Sequence, residues 1–347
     1  MYIRKILVLI SLTGVGIGAY FVFNFYSIFF WNNTVFENEY SYVFIDHDDT
    51  IDSLQVQLDP LLKSTSNFLL AAEKKGYSQN IKPGKYKLVN GSGNNDLINI
   101  LRSNRLTVKV IFNNQERLEN LAGRIALQIS ADSLSLVNTF YNASFLAFNG
   151  FTKENALAMY LPNSYDFFWD TTAEGFREKM LANYKQYWNE VRLKKAEANN
   201  LSPIEVYTLA SIIQKESPKP DEQPRIAAVY LNRLRKRMKL QADPTVIYAV
   251  KKASNNFDQV IKRVLLKDLK LLSPFNTYKK NGLPPGPITM PDLSAIEAVL
   301  SAEQNSFMYF VADPSKPGYH LFAKDLYQHN LNKQVYVNWI NKMKIYR

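Results

Sequence analysis

The longest hydrophobic stretch lies at the N-terminus and predicts a transmembrane helix. Residues 6–30 are almost continuously apolar, with Asn24 as the one strongly polar interruption, and the run is long enough to span a bilayer. Arg4 and Lys5 precede it and acidic residues follow between positions 37 and 49, so the positive-inside rule places residues 1–5 in the cytoplasm. A cleaved signal peptide is the alternative, but no small-x-small cleavage site follows. We expect a retained single-pass anchor in the cell (inner) membrane, with the rest of the chain periplasmic or otherwise extracytoplasmic.

Strand and helix patterns are mixed after the anchor. Clusters of β-branched and aromatic residues predict strands over 40–45, within 81–88 and over 106–112. Helical spacing predicts helices over 50–62, 95–105, 116–129 and 173–195, with an aromatic stretch at 160–169. The pattern predicts an α+β fold with a small module at 40–106 and a linking part at 107–200.

The C-terminal part has sharper boundaries. Ser202 and Glu205 form a capping box with Pro203 at the first helical position, and they predict a helix that ends near Ser217. Further helices are expected over 222–239, from 243 onward and over 292–303, and a hairpin is expected from 308–312 and 319–322. Segment 273–288 contains four prolines and two glycines, which predicts a loop.

Composition adds a charge preference. The chain has 347 residues, enough for an anchor and two folded units, and its net charge of +11 favours anionic surfaces. The basic run at 233–239 could suggest nucleic acid, but its helical spacing among apolar residues favours a solvated helix face, and no nucleic-acid partner is expected. The absence of cysteine excludes disulfides, thiolate metal sites and thiol nucleophiles.

One carboxylate lies on an apolar helix stripe. At about 100° per residue, Leu209 and Ile212 lie on the same side of the helix as Glu216, whereas Gln214 lies on the opposite side. Apolar surroundings raise the pKa of a carboxyl group and keep it available as a proton donor near neutral pH. Glu216 is therefore a candidate general acid. The alternatives are a buried glutamate satisfied by arginine or backbone donors, and an exposed glutamate in a frayed last turn.

A second acidic candidate is Asp243, which could assist catalysis, although Asp before Pro244 is also an ordinary helix N-cap. Gln241 and Thr245 flank it and could hydrogen-bond sugar hydroxyls or N-acetyl groups, although Thr245 could equally be a polar position early in a helix. Phe275, Tyr278 and the prolines of 273–288 would suit one wall of a polysaccharide cleft, or else form a rigid connection.

Other chemistries lack their motifs. The three histidines at 47, 320 and 329 are too scattered for a metal site, and no acidic calcium loop occurs. We also find no glycine-rich phosphate loop and no Gly-x-Ser-x-Gly nucleophile elbow. No metal and no cofactor are expected.

Five ordered blocks carry a family resemblance. They are LASIIQKES at 209–217, VYLNRL leading to MKLQADPTVIY at 229–248, SPFNTY at 273–278, GLPPGPI at 282–288, and YFVAD with GYH at 309–320. Together they resemble the MltG (YceG-like) endolytic murein transglycosylase family, whose first block usually reads Ala-Ser-Ile-Ile-Glu-Lys-Glu-Thr. The first acidic position is Gln214 here, and LPNSY at 161–165 is degraded from the usual Phe-Pro-Asp-Thr-Tyr. The resemblance covers 201–330 strongly. The segment at 82–88 also resembles the family's LysM-like module.

The resemblance implies a lyase that cuts the β-1,4 bond between N-acetylmuramic acid and N-acetylglucosamine within glycan strands, leaving a 1,6-anhydro end. It implies action on nascent murein that limits strand length. Residues 201–340 would be the catalytic core and 40–106 the LysM-like module. The second acidic position of the signature maps to Glu216, the expected catalytic residue. The expected substrate-binding or supporting residues are Gln241, Asp243, Thr245, Tyr248, Asn276, Thr277, Tyr278, Pro285 and Gly286.

The expected partners are peptidoglycan glycan strands and the membrane. Penicillin-binding proteins or other wall synthases are expected as further partners. Two alternatives stay open. A non-catalytic scaffold of the wall-synthesis machinery would keep the fold without cutting, and a hydrolytic muramidase would need a second working carboxylate, for which Asp243 is the nearest candidate.

Overall fold

The structure, a computed structural model, describes residues 2–343. Its α-helices are α1 Tyr2–Phe30, α2 Ile51–Leu58, α3 Thr65–Lys74, α4 Asn94–Ser103, α5 Leu118–Ala126, α6 Ser133–Phe140, α7 Ala143–Phe148, α8 Ala173–Tyr187, α9 Glu190–Ala198, α10 Pro203–Glu216, α11 Gln223–Arg235, α12 Asp243–Ser254, α13 Leu293–Leu300 and α14 Leu326–Lys342. Its strands are β1 Tyr40–Ile45, β2 Gly84–Val89, β3 Thr107–Phe112, β4 Asn163–Phe168, β5 Tyr309–Ala312 and β6 His320–Ala323. They pair as β1-β2, β3-β4 and β5-β6. The predicted mixed α+β class is confirmed.

The chain divides into two compact units. The first comprises Met1–Val110, Leu127–Ala131 and Tyr165–Thr172, and the second comprises Ile111–Ala126, Asp132–Ser164 and Ala173–Arg347.

The first unit joins an apolar helix to a small α+β fold. α1 is long and apolar enough to cross a membrane. Strands β1 and β2 are antiparallel, with Ile45 opposite Gly84, and the alternation of the strands buries Val43, Ile45, Tyr86 and Leu88. These side chains and those of α2, α3 and α4 form one core, which also includes Phe29 at the end of α1. The end of the apolar helix is therefore part of the folded unit.

The second unit is built around α10. Every residue from Val206 to Ile213 is buried, and α10 packs against α11, α12 and α13. Strands β5 and β6 form the predicted hairpin, with Tyr309 opposite Ala323, and α14 packs on it. A helix buried on all sides is held by its neighbours, so the residues at its end have a fixed position.

Several predicted helices are shorter or divided. The helix expected over 50–62 ends at Leu58, where Pro60 is accommodated in a 3-10 turn, Asp59–Leu61. The helix expected over 173–195 is interrupted, because Asn189 caps a new helix by accepting a hydrogen bond from the Arg192 amide. α11 ends at Arg235 rather than 239, and Arg237 has a φ of 54°. Helices α3, α6, α7 and α14 and strand β4 have no counterpart among the predicted elements.

Candidate active site

The end of α10 carries the candidate acid. Ser202 accepts a hydrogen bond from the backbone amide of Glu205, and the Glu205 side chain caps the Ser202 amide, so the predicted capping box is confirmed. Leu209 and Ile212 are fully buried, and each buried aliphatic side chain stabilises the fold by about 1.5–3 kcal/mol. Glu216 is the last residue of this helix and is partly buried. The helix therefore holds one carboxyl group at its C-terminal end.

Burial raises the pKa of Glu216 from 4.5 to about 7. A hydrogen bond from Tyr230 opposes this rise, the negative charge of Asp243 adds to it, and the positive charge of Arg233 lowers it. The C-terminal end of a helix also disfavours a carboxylate. A carboxyl group with this pKa is present in both protonation states near neutral pH. It can give up a proton and take one back, as general acid–base catalysis requires.

Two residues of α11 complete the surroundings of this carboxyl, and sequence reasoning missed both. The Tyr230 hydroxyl donates a hydrogen bond of 2.6 Å to Glu216 Oε1. Arg233 is buried, and its Nε and Nη1 donate to the carbonyl oxygens of Met308 (2.7 Å) and Leu240 (2.6 Å). Tyr230 thus contacts the acid directly, while Arg233 is fixed in place by backbone oxygens.

Arg233 corrects the prediction that the whole basic run lies on a solvated helix face. The remaining basic residues of the run are exposed, namely Arg235, Lys236, Arg237 and Lys239. Arg233 follows the buried positions Ile226, Val229 and Tyr230 at helical spacing, one turn after Tyr230. That spacing in the sequence was the available signal, because it places the arginine on the apolar stripe of α11.

Of the two alternatives for Asp243, the helix N-cap is wrong. Asp243 is the first residue of α12, whose N-cap position is Ala242, a residue that makes no side-chain capping hydrogen bond. The Asp243 carboxylate instead accepts a hydrogen bond of 2.6 Å from the Tyr278 hydroxyl. Burial and this hydrogen bond raise the pKa of Tyr278. Asp243 is exposed, and its charge reaches Glu216.

A buried hydrogen-bond network fixes the segment that carries Asp243. The hydroxyl of Thr245 donates to the carbonyl of Ala242 over 2.7 Å and lies 2.8 Å from the hydroxyl of Thr277. The Thr277 hydroxyl accepts from the Ala242 amide (3.0 Å), and its carbonyl accepts from the amide of Gln241 (3.2 Å). Asn276 donates to two carbonyls of the preceding loop.

Thr245, Asn276 and Thr277 are fully buried, so they are positioned to support the site rather than to touch a sugar. The suggestion that Thr245 hydrogen-bonds sugar hydroxyls is therefore wrong. Gln241 is exposed, with a φ of 53°, beside Asp243.

The predicted aromatic wall is only partly present. Phe275 is fully buried and its ring packs 4.8 Å from that of Tyr248, so Phe275 cannot offer a flat face to a sugar. Tyr278 is partly exposed and Pro285 is exposed. Gly286 permits a close approach of two backbones, because a Cβ there would overlap the carbonyl of Glu154. Tyr248 and Gly286 thus serve the packing of α12 and the loop at 273–288.

Gln214 joins α10 to α13. Its Nε2 donates to Asp292 Oδ2 over 3.0 Å, and the Asp292 amide donates back to Gln214 Oε1 over 3.2 Å. An amide satisfies both contacts because it carries a donor and an acceptor. A glutamate at this position would bring two carboxylates together, so the glutamine suits its local partner.

The comparisons with known proteins agree with one another. The YceG-like family model matches residues 43–335. An endolytic murein transglycosylase of Bacillus subtilis (strain 168) is 37% identical over 173 residues, which cover 50% of this chain and 45% of that protein. An endolytic murein transglycosylase of Streptococcus pneumoniae serotype 2 (strain D39 / NCTC 7466) is 33% identical over 181 residues, which cover 51% of this chain and 31% of that protein. The alignments thus span less than half the length of these curated relatives.

A solved structure is also similar. A yceG-like protein from Listeria monocytogenes shares 27% sequence identity with a TM-score of 0.56, and the match covers 84% of this chain and 98% of that chain.

Proposed function

Because the chain belongs to the YceG-like family, we propose that it is an endolytic murein transglycosylase. It would cut the β-1,4 bond between N-acetylmuramic acid and N-acetylglucosamine within glycan strands and leave 1,6-anhydro ends. The observation that carries the proposal is the raised pKa of the Glu216 carboxyl. Burial of the side chain brings this pKa to about 7. The curated relatives named endolytic murein transglycosylase support the same activity.

One carboxyl group is sufficient for this reaction. Protonated Glu216 donates its proton to the glycosidic oxygen as the bond between that oxygen and C1 breaks, and an oxocarbenium-like transition state develops. The C6 hydroxyl of the N-acetylmuramic acid whose C1 bond has broken then bonds to that C1 and transfers its proton to the Glu216 carboxylate. No water is consumed, and the acid is regenerated.

The neighbours of Glu216 suit both halves of the cycle. The Tyr230 hydroxyl, 2.6 Å from Oε1, stabilises the carboxylate after the proton has left. Asp243, held by Tyr278, would place a negative charge near the positive charge that develops on the sugar. Tyr230 and Asp243 therefore assist the acid without forming a bond to the substrate.

We also propose that α1 is a retained anchor. The Ile28 carbonyl accepts a hydrogen bond of 2.6 Å from the Asn94 side chain, and the Asn33 amide donates to the Ser92 carbonyl over 3.0 Å. Phe29 is buried in the core of the first unit. Cleavage after the apolar run would remove this packed aromatic, which favours an uncleaved helix. In the proposed orientation residues 1–5 are cytoplasmic, which is supported by the basic residues before the helix and the acidic residues after it.

An enzyme held at the membrane is well placed to act on nascent strands and to limit their length. Penicillin-binding proteins or other wall synthases are the partners that this role implies. The LysM-like nature of residues 40–106 and the catalytic core at 201–340 belong to the same proposal.

The test uses the detergent-solubilised full chain on purified murein. We expect release of soluble fragments from within strands, complete loss of release in Glu216→Gln, and only a reduced rate in Asp243→Asn. Exchange of the exposed Glu197 on α9 for Gln is the matched control and should leave the rate unchanged. Failure of the parent chain to release any fragment would instead support a non-catalytic scaffold.

A hydrolytic muramidase is the second candidate, because Asp243 is an exposed carboxylate whose charge reaches the acid. In such an enzyme Asp243 would activate water or attack C1. Asp243→Asn would then abolish cutting as completely as Glu216→Gln.

A further inference from the structure

A cavity lies in the unit that contains α10, apart from the residues described around Glu216. Its volume is about 230 Å³, and its lining comes from the start of α5, the loop before residue 157, and α12 with the residues that follow it. Tyr248 forms part of one wall. The reaction proposed for Glu216 gives this cavity no role.

An arginine, Arg117, lines the cavity. Arg117 is partly buried, and its Nε is buried without a hydrogen-bond partner within the described residues 2–343. The guanidinium lies 4.2 Å from the ring centre of Phe257, which also packs edge-on against Tyr248 at 5.6 Å. No ion pair found between residues 2 and 343 includes Arg117. The Arg117 guanidinium, which lies against the Phe257 ring and has an unpaired Nε within the described residues, is suited to a carboxylate. A guanidinium can bind a carboxylate through two parallel hydrogen bonds.

Acidic groups line the same cavity. Glu119 accepts a hydrogen bond of 3.2 Å from Tyr141, and Glu154 follows the exposed Lys153 in the loop that Gly286 approaches closely. Neither glutamate is in an ion pair among the residues that the structure describes. These carboxylates are suited to an ammonium group. The cavity, whose lining also includes Lys153, Lys252 and Glu116, thus offers cations and anions to one small ligand.

The volume restricts the ligand further. Pockets for drug-sized molecules measure roughly 300–1,000 Å³, so this cavity suits a single amino-acid residue better than a disaccharide. The sugar rings of a glycan strand also lack the pair of opposite charges that the lining would match. Peptide stems attached to muramic acid carry both free carboxylates and free amines.

We propose that this cavity binds one charged residue of the murein peptide stem, with Arg117 pairing its carboxylate and Glu119 pairing its amine. The inference rests on the proposed function and specifies its substrate as strands that carry peptides. Helix α12 links the two places, since Asp243 begins the helix and Tyr248 lies five residues further, a rise of about 7.5 Å. A stem bound here would hold its strand near Glu216.

Calorimetric titration tests the site without any need for cutting. The probe is a free stem tripeptide of L-alanine, D-glutamate and a diamino acid, added to the detergent-solubilised full chain. We expect binding to the parent and to Glu216→Gln with equal affinity. Arg117→Gln should bind about tenfold more weakly or worse, the loss expected for one charge-assisted pair. Arg235→Gln, which changes an exposed arginine of α11, is the matched control and should bind as the parent does.

Two further variants make the test robust to misfolding. Arg117→Lys keeps the charge and should recover part of the affinity, and Glu119→Gln should weaken binding without any change at the guanidinium. Equal affinity of the parent, Arg117→Gln and Glu119→Gln, or no binding by the parent, would overturn the inference.

Turnover separates this inference from the proposed function. Arg117→Gln should lower kcat/KM on peptide-bearing strands about tenfold and leave it unchanged on strands stripped of peptides by an amidase. An equal loss on both substrates would contradict peptide binding at this cavity. A parent chain that cuts neither substrate would contradict the proposed activity. The calorimetric titration would still test whether the cavity binds the peptide.

Discussion

Glu216 should make the protein less stable as pH rises, and Glu216→Gln should remove that loss. The folded chain holds this carboxyl at a pKa of about 7, whereas the ordinary value for glutamate is 4.5. Below pH 4.5 the group is protonated in both the folded and the unfolded chain, so it costs nothing. Between these two values the unfolded chain ionises first and the folded state loses stability, and above about pH 7 the loss is complete.

The size of the effect follows from the shift. The rise in pKa is worth about 3 kcal/mol, which we reduce to about 2 kcal/mol because solvent reaches part of the side chain. Glutamine keeps a carbonyl acceptor for the Tyr230 hydroxyl and cannot ionise. A gain of this size raises Tm by about 4–8 °C in a unit of this length.

Thermal unfolding of the full chain at two pH values measures this difference. We expect Glu216→Gln to melt about 4–8 °C above the parent at pH 8 and close to the parent at pH 4.5. The control Glu197→Gln, at an exposed position, should follow the parent at both pH values. A Tm difference that is the same at both pH values, or a variant that melts below the parent at pH 8, would refute the reasoning.

Three further predictions concern Tyr230, Gln214 and Gly286. Tyr230→Phe removes a hydrogen bond that lowers the pKa of the acid, so the alkaline limb of the kcat/KM profile on murein should move up by about one pH unit; an unmoved limb would contradict the role of this hydroxyl. Gln214→Glu should destabilise the fold by about 1–3 kcal/mol at pH 7 by facing Asp292 with a like charge, and the loss measured by denaturant unfolding should shrink at pH 4, unlike that of Gln214→Ala. Gly286→Ala should cost about 3 kcal/mol because its Cβ meets the Glu154 carbonyl, and a variant as stable as the parent would show that the loop yields freely.

Features written in local sequence could be predicted. The capping box of Ser202 and Glu205, the prolines of the loop at 273–288, and the apolar run of α1 all act within a few residues. The apolar stripe on α10 likewise gave Glu216 as the candidate acid. Elements of this kind need no knowledge of the tertiary fold.

Features that depend on packing could not be predicted in the same way. The hydrogen bond between Asp243 and Tyr278 joins residues 35 positions apart, so local sequence does not show it. Local sequence shows only that Asp243 precedes Pro244, which is typical of a helix cap. Phe275 was expected to form part of the wall of a polysaccharide cleft, because the local sequence does not show that its ring packs against Tyr248. Arg233 is an intermediate case, since its place on the stripe of α11 was visible but its backbone partners were not.

The mass of the new strand ends tests the central claim most directly. Murein digested by the full chain should yield fragments whose ends are one water lighter than hydrolytic ends, as an intramolecular attack by the C6 hydroxyl requires. Digestion in isotopically labelled water should introduce no label, and Glu216→Gln should yield no such ends. Reducing ends that carry one labelled oxygen, or anhydro ends formed by Glu216→Gln, would contradict the claim that this one glutamate acts first as the acid and then as the base.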